Sequence, residues 1–356
     1  MAYRLERLTD LDALPFDEVI DARSPAEFAE DHLPGALSLP VLDDEERARV
    51  GTIYVQESRF RARRIGAALV ARNVAKHLEG PLADRPGGWK PLIYCWRGGQ
   101  RSGSFALILR EVGWRAETLE GGWKSWRRLV VRAVQEDPFP APLVLIDGNT
   151  GTGKTDILAA LSRGGVQVID LEGLANHRGS LLGARPGGQP SQKRFEGRLA
   201  MALARLDPHR PVVMEAESSR IGRLSIPPAV WKAMKTAPRI VLDVPTEERA
   251  RYLVRAYADV IADRALLEAR IESLRPWHAR EVIEAWQQMV RQGRFEALAA
   301  DLMARHYDTR YARQRARADV PVRILPHDDL SPAGIELAAG RVAALLPELL
   351  PIRAGM

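Results

Sequence analysis

LVLIDGNTGTGKTDILAAL, residues 143–161, decides how this chain is built. An apolar run of strand type reaches Asp147, a glycine-rich turn follows, and an apolar-periodic helix begins near Asp156. The turn, Gly148-Asn149-Thr150-Gly151-Thr152-Gly153-Lys154-Thr155, fits G-x-x-x-x-G-K-[S/T] at every position. Strand, loop and helix in that order are the context this phosphate-binding motif needs. Its backbone amides cradle phosphate oxygens, Lys154 reaches the outer ones, and Thr155 offers a hydroxyl to Mg²⁺. The signal is strong for phosphate binding and weaker for nucleotide hydrolysis, and with no adenine-selecting motif visible ATP is not specified as the ligand.

Downstream, GVQVIDLE (165–172), RPVVMEA (210–216) and PRIVLDVP (238–245) read as further buried strands. Each ends in a carboxylate that could complete a metal site: Asp170, Glu215 or Asp243, with Asp170 and Glu215 preferred. No metal site is thereby specified. Residues 246 to about 318 are helical in pattern and arginine-rich. VPVRILP (320–326) closes the sheet, and SPAGIELAAGRVAALLPELL (331–350) is a capped last helix.

Upstream, the pattern again alternates strand and helix. EVIDARS ends a short strand at Asp21 and Arg23, and SPAEFAEDH starts a helix with Pro25 in its first turn. KPLIYCW is a buried strand, SGSFALILREVG a helix, and AETLEGGWKSWRRLVVRAV a strand, a glycine turn and a helix. Three prolines between Pro138 and Pro142 mark a linker. The expected organisation is α/β throughout: a parallel-sheet domain over 1–136, a linker over 137–142, and a P-loop α/β domain over 143–356 that carries the helical segment.

Composition narrows the class. The 356 residues are enough for two ordinary cores, since single cores stop growing at roughly 250 to 300 residues. No apolar run approaches the roughly 18 residues of a membrane span, and MAYRLERLTDLDALP is not expected to act as a secretory leader. A single cysteine excludes an internal disulfide framework and a multi-cysteine zinc site, so a reducing, cytoplasmic setting is expected. The net charge of +6 favours polyanionic partners. It is concentrated: Arg59, Arg61, Arg63, Arg64, Arg72 and Lys76 fall between Ser58 and Lys76 with no acidic residue among them. A second run contains Arg178, Arg185, Lys193, Arg194 and Arg198 against Glu196 alone. Either run alone is as well explained by a solvated face. Two runs beside two anion loops favour a nucleic acid, with Arg59, Arg61, Arg63, Arg64, Arg72, Arg178, Lys193 and Arg194 as candidate contacts. Trp96, Trp277, Tyr307 and Tyr311 are candidates for stacking on unpaired bases, with core packing as the plainer role.

The second anion loop holds the only cysteine. In YCWRGGQRSG (94–103), Cys95 follows a strand and precedes a helix, where open α/β sheets bind ligands. Gly98 and Gly99 allow the backbone amides to converge, and Arg97 and Arg101 add charge. Such surroundings lower a thiol pKa, and the thiolate is the nucleophile. A buried structural cysteine is the usual alternative; two glycines and two arginines beside it make that a poor fit.

With VIDARSPAEFAEDHLPGA before it and LEGGWKSW after it, this loop resembles the rhodanese family. The resemblance implies a persulfide-carrying cysteine in an active loop of Cys95, Arg97, Gly98, Gly99, Arg101 and Ser102. It departs from that family in spacing: five residues lie between Cys95 and Arg101, where the usual rhodanese loop has four. The longer loop is similar to that of dual-specificity phosphatases on the same scaffold, and suits a tetrahedral phosphoryl group.

The combination of such a domain with a phosphate loop resembles the tRNA 2-selenouridine synthase family. The likeness extends through VGTIYVQESRF, NHRGSLLG, QPSQKRFE, EAESSRIG and HYDTRY. It implies a transferase that replaces sulfur by selenium in wobble 2-thiouridine, using selenophosphate. It further implies S-geranylation with geranyl diphosphate as an intermediate step, no requirement for ATP, a tRNA anticodon stem-loop as partner, and a selenophosphate supplier upstream. Two rival readings remain open on the residues alone. One is a rhodanese-type sulfurtransferase or phosphatase fused to an ATP-dependent RNA-modifying domain. The other is a non-catalytic RNA-binding protein whose two loops only hold phosphates.

Overall fold

The computed structural model describes residues 2–180, 182–309 and 320–350. The chain divides into two compact units, residues 1–137 with 190–205, and residues 138–189 with 206–356.

The first unit is built on a five-stranded parallel sheet. Its strands are β1 (Ala2–Tyr3), β2 (Glu18–Asp21), β3 (Leu37–Ser38), β4 (Pro91–Tyr94) and β5 (Glu117–Leu119), in the order β1-β5-β4-β2-β3. Every neighbouring pair is parallel. β4 is buried along its whole length, as a central parallel strand with both faces covered must be. Helices α1 (Pro25–Glu30), α2 (Asp44–Gln56), α3 (Arg59–Glu79), α4 (Gln100–Glu111) and α5 (Trp123–Val131) accompany it. Ile20, Ile93, Phe105 and Leu109 lie at the centre of its core. α2 and α3 form a helical hairpin between β3 and β4, each with a polar N-cap: Asp43 accepts from the Glu46 amide at 2.7 Å, and Ser58 from the Arg61 amide at 3.3 Å. One helix comes from far along the chain. α8 (Gln192–Ala204) belongs to this unit, where Gly197 lets the Trp126 ring approach closely.

The second unit repeats the plan. β6 (Leu143–Gly148), β7 (Gln167–Ile169), β8 (Val212–Glu215), β11 (Arg239–Asp243) and β12 (Val322–Pro326) form a parallel sheet ordered β12-β11-β6-β8-β7. A short antiparallel pair, β9 (Arg220–Ile221) and β10 (Leu224–Ser225), stands apart from it. α6 (Lys154–Arg163) and the closing helix Pro332–Leu349 pack with β6 and β11 in one core that includes Val144, Ile146, Ile157 and Val342. Ser331 caps the closing helix through the Gly334 amide at 3.2 Å. α7 (Leu171–Ala175) follows β7, and α9 (Pro228–Thr236) precedes β11. α10 (Thr246–Ala256), α11 (Ala258–Ala262), α12 (Arg264–Glu272), α13 (Arg280–Arg291) and α14 (Phe295–Leu302) make up the arginine-rich helical segment. It has its own apolar centre at Ile271, Ile283, Trp286 and Val290. The expected α/β architecture, with parallel sheets in both halves, is what the chain adopts. Among the described residues no helix is long and apolar enough to cross a membrane.

Candidate active site

The thiol loop leaves the carboxyl end of β4, the middle strand of its sheet. Gly98 turns with φ +69°, and a Cβ there would come within 2.5 Å of the Leu119 carbonyl oxygen. Gly122 answers it with φ +57°, where a Cβ would lie 2.3 Å from the Cys95 carbonyl oxygen. Glycine is required at both places, which explains why the glycine turn after β5 accompanies the cysteine loop. The Trp123 amide donates to the Cys95 carbonyl at 2.8 Å and the Lys124 amide to that of Trp96 at 3.1 Å. Trp96 stacks on Trp123 with centroids 4.6 Å apart, so this candidate stacking ring is already engaged within the fold.

Cys95 is buried, and the Ser102 hydroxyl donates to its Sγ at 3.2 Å. Burial raises the thiol pKa, but the hydrogen bonds of Ser102, the Arg101 charge and the Gly99 amide outweigh it, and the net shift is downward. Arg101 is held by both oxygens of Glu27, at 2.6 and 3.3 Å, and Glu27 also accepts from the Ser24 amide at 3.1 Å. Arg97 is exposed on the loop. Behind the loop, Arg23 is fully enclosed, paired with Asp21 at 2.7 Å, while the Tyr94 hydroxyl donates to Asp21 at 2.7 Å. Asp31 accepts from the Trp123 indole at 3.0 Å, and burial pushes its pKa up to about 6 against that bond and nearby arginines.

The phosphate loop leaves β6, again the middle strand. Gly151 has φ +85°, and a Cβ there would meet Leu253 at 2.9 Å and the Arg249 carbonyl at 3.1 Å. Thr152 donates to the Asn149 carbonyl at 3.0 Å, and Lys154 Nζ to that of Gly148 at 2.9 Å. Arg249, which is buried, donates to the Thr150 carbonyl at 2.9 Å and holds both oxygens of Asp308, at 2.9 and 2.7 Å. The cleft over the loop is lined by residues 150–156 with Glu172, Arg178, Arg185 and Tyr257 among others.

The acidic residues at the strand ends divide their work. Asp170 caps α7, accepting from the Gly173 amide at 2.7 Å, and Glu215 is fully buried and accepts from the Leu171 and Glu172 amides at 3.1 Å each. Both fix the start of α7. The carboxylate that reaches the loop is Glu172, which accepts from the Thr155 hydroxyl at 3.2 Å. Glu217 lies beside it. Burial, reinforced by the Glu172 charge and opposed by Lys154, pushes Glu217 up to about 8. Burial raises Glu172 as well, against Lys154 and Thr155. Neither residue stands out in sequence, because each reaches the loop through the segment after its strand, Glu172 in α7 after β7 and Glu217 in the turn after β8. Asp243 is exposed and lines a different cleft. Among the described residues no group of three or more His, Cys, Asp or Glu could hold a metal ion by itself.

The candidate RNA contacts fall into two kinds. Arg59, Arg61, Arg63, Arg64 and Arg72 are exposed on α3, together with Phe60 and, at the end of α2, Val55. Arg61 pairs with Glu57, and Arg59 lies 5.6 Å from the Tyr54 ring centroid. The others are engaged internally: Arg178 with both oxygens of Asp259 at 3.0 Å, Lys193 with Glu30 at 2.6 Å, and Arg194 near the Asp31 carboxyl. Trp277 is 59% exposed, Tyr307 is half-buried, and Tyr311 lies outside the described residues.

Both halves have known counterparts. Residues 4–129 match the rhodanese-like domain, and residues 141–279 match the tRNA 2-selenouridine synthase AAA domain. The tRNA 2-selenouridine synthase of Aeromonas salmonicida is 39% identical over 259 residues, which cover 71% of this chain and 69% of that protein. Those of Shewanella sp. strain ANA-3 and Psychromonas ingrahamii are 36% and 33% identical, covering 72% and 74% of this chain and 71% and 70% of theirs. Identity of this depth over about 70% of both chains, together with the two domain matches, makes this chain a member of the tRNA 2-selenouridine synthase family.

Proposed function

We propose that this chain makes 2-selenouridine in tRNA, replacing the sulfur of wobble 2-thiouridine by selenium from selenophosphate through an S-geranylated intermediate. The observation that carries the reading is the pairing of two different anion loops in one chain, one around a thiol of lowered pKa and one around an ammonium. A thiocarbonyl sulfur leaves poorly, whereas an S-alkylated one leaves as a thiol. In the first step the uridine sulfur attacks C1 of geranyl diphosphate. The C1–O bond breaks, diphosphate departs into the loop at Gly148–Thr155, and the uridine N3 proton is lost. In the second step selenium adds at C2, the C2–S bond breaks, N3 and the leaving geranylthiolate each take up a proton, and the phosphoryl group of selenophosphate goes to water as phosphate.

Lys154 and the loop amides neutralise the departing diphosphate, so ATP is not needed to drive the transfer. The Cys95 thiolate attacks the phosphorus of selenophosphate, the P–Se bond breaks to release selenide toward C2, and water then hydrolyses the S–P bond to phosphate, with the phosphoryl oxygens facing the amides of residues 97–101 and the charges of Arg97 and Arg101. Mg²⁺ fits beside the phosphate loop: Thr155 and Glu172 would hold it, with its remaining ligands from phosphate oxygens and water. Bound there, it would add charge neutralisation. The exposed arginines of α3 suit phosphate contacts along an anticodon stem-loop.

The test is mass spectrometry of nucleosides from 2-thiouridine tRNA after incubation with selenophosphate and geranyl diphosphate, with and without ATP. Selenouridine formed without ATP, and S-geranyl-2-thiouridine when selenophosphate is withheld, are expected. A strict ATP requirement would favour the ATP-dependent RNA-modifying alternative, and no modified nucleoside at all would favour a binding protein.

A further inference from the structure

An apolar cleft adjoins the phosphate site, and the mechanism above leaves it unused. It lies between α10, α11 and α14. Thr150, Ser180, Leu253 and Tyr257 line both this cleft and the one over the phosphate loop, so the two adjoin across these residues. Leu253 itself packs on Gly151 of the loop. Away from that shared mouth the walls are almost wholly hydrocarbon, with Leu298, Ala299 and Met303 among them. The hydroxyls at the mouth satisfy each other, Ser180 with Tyr257 at 2.9 Å.

We propose that this cleft seats the isoprenyl chain of a prenyl diphosphate whose diphosphate lies in the loop. The inference deepens the geranylation step of the proposed function and depends on it. A nucleoside base is the other group commonly found beside such a loop. Here its ring donors and acceptors would meet hydrocarbon and stay unpaired, which is costly. An isoprenyl chain has no such groups and gains from leaving water. Because the reacting carbon adjoins the diphosphate, it would sit at the mouth near Thr150, with the tail directed inward.

The test uses the full chain with a cleft-filling variant, Ala299→Trp, and a cleft-enlarging one, Met303→Ala. Binding of geranyl diphosphate, inorganic diphosphate and ATP is measured by calorimetry. Ala299→Trp should weaken geranyl diphosphate at least about tenfold, the equivalent of losing burial of a few carbons, and leave inorganic diphosphate unchanged. Met303→Ala should shift the product ratio from geranyl toward farnesyl when both diphosphates compete. Equal weakening of ATP and geranyl diphosphate by Ala299→Trp would overturn the proposal in favour of a base pocket. Geranyl diphosphate affinity and product ratio unmoved by either variant would also overturn it. These failures differ from failure of the proposed function, in which the unaltered protein itself makes no S-geranylated nucleoside. If Ala299→Trp loses inorganic diphosphate as well, through misfolding, the product ratio of Met303→Ala decides: an unshifted ratio overturns the cleft assignment.

Discussion

The thiol loop and the phosphate loop are built alike and charged differently. Each leaves the middle strand of a five-stranded parallel sheet, turns through glycines at positive φ, and leads into a helix. In the first unit the loop surrounds a soft nucleophile, and the net effect of its surroundings is to lower the Cys95 pKa. In the second it surrounds an ammonium, and two carboxyls beside it are pushed upward by burial. A common backbone solution to anion binding therefore supports two chemistries. What differs is the group placed at its centre and the side chains that tune it: Ser102 and Arg101 at one loop, Glu172 and Glu217 at the other.

Removing the central charge of the phosphate loop should have the largest effect. Lys154→Ala should slow geranylation by about two to three orders of magnitude, the usual effect of deleting one such electrostatic partner, while tRNA binding measured by filter retention stays nearly unchanged. Geranylation at the normal rate would remove the distinction between the loops.

Tuning at the thiol should follow. Ser102→Ala removes the hydroxyl that donates to Sγ, so the thiol should titrate higher. Selenium incorporation should fall near neutral pH and recover as pH rises, and a pH profile would show it. A uniform loss at every pH would mean that Ser102 holds the loop's shape rather than the thiolate.

At the phosphate loop the corresponding change acts with the opposite sign. Glu217 is raised to about 8, so the folded protein holds a proton there that the unfolded chain gives up in the ordinary carboxylate range. That contribution to stability is present at acid pH and is lost as pH rises toward about 8. Glu217→Gln should flatten the fall in melting temperature across this window. It should also flatten the loss of diphosphate affinity as the second carboxylate charges. An unchanged slope would leave Glu217 without a role in tuning.

The smallest effect is expected at α3. Charge removal at Arg59, Arg63 and Arg64 should weaken tRNA binding at all sequences. The slope of log K against log salt should fall by about 0.7 to 0.9 for each RNA phosphate that is no longer neutralised. An unmoved slope would make this run a solvated face.

Much of both loops was legible because their logic is local. A strand, a glycine-bearing loop with Cys95 or Lys154, and a helix follow within about twenty residues, and the residue types alone specify positive φ and anion binding. The β-strands at GVQVIDLE, RPVVMEA and PRIVLDVP were legible for a similar reason, as short apolar runs between turns. What escaped depends on packing between residues distant in sequence. Nothing in QPSQKRFE signals that α8 leaves the chain around it to pack with Trp126. The α2–α3 hairpin showed only as a basic run. Asp170 and Glu215 were visible as strand-end carboxylates, but the division of labour with Glu172 and Glu217 comes from how α7 sits on β8. The apolar cleft was invisible, since Thr150, Leu253 and Leu298 converge only when the helical segment packs against the loop.

The central claim is that the two loops perform separable steps. It is tested most directly by passing RNA between two variants and reading its nucleosides by mass spectrometry. Cys95→Ser, given 2-thiouridine tRNA, geranyl diphosphate and selenophosphate, should accumulate S-geranyl-2-thiouridine and make no selenouridine. That RNA, transferred to Lys154→Ala with selenophosphate alone, should be converted to 2-selenouridine, although Lys154→Ala makes almost none from 2-thiouridine. Selenouridine from the Cys95→Ser reaction, or failure of Lys154→Ala to convert the transferred RNA, would contradict the division between the loops.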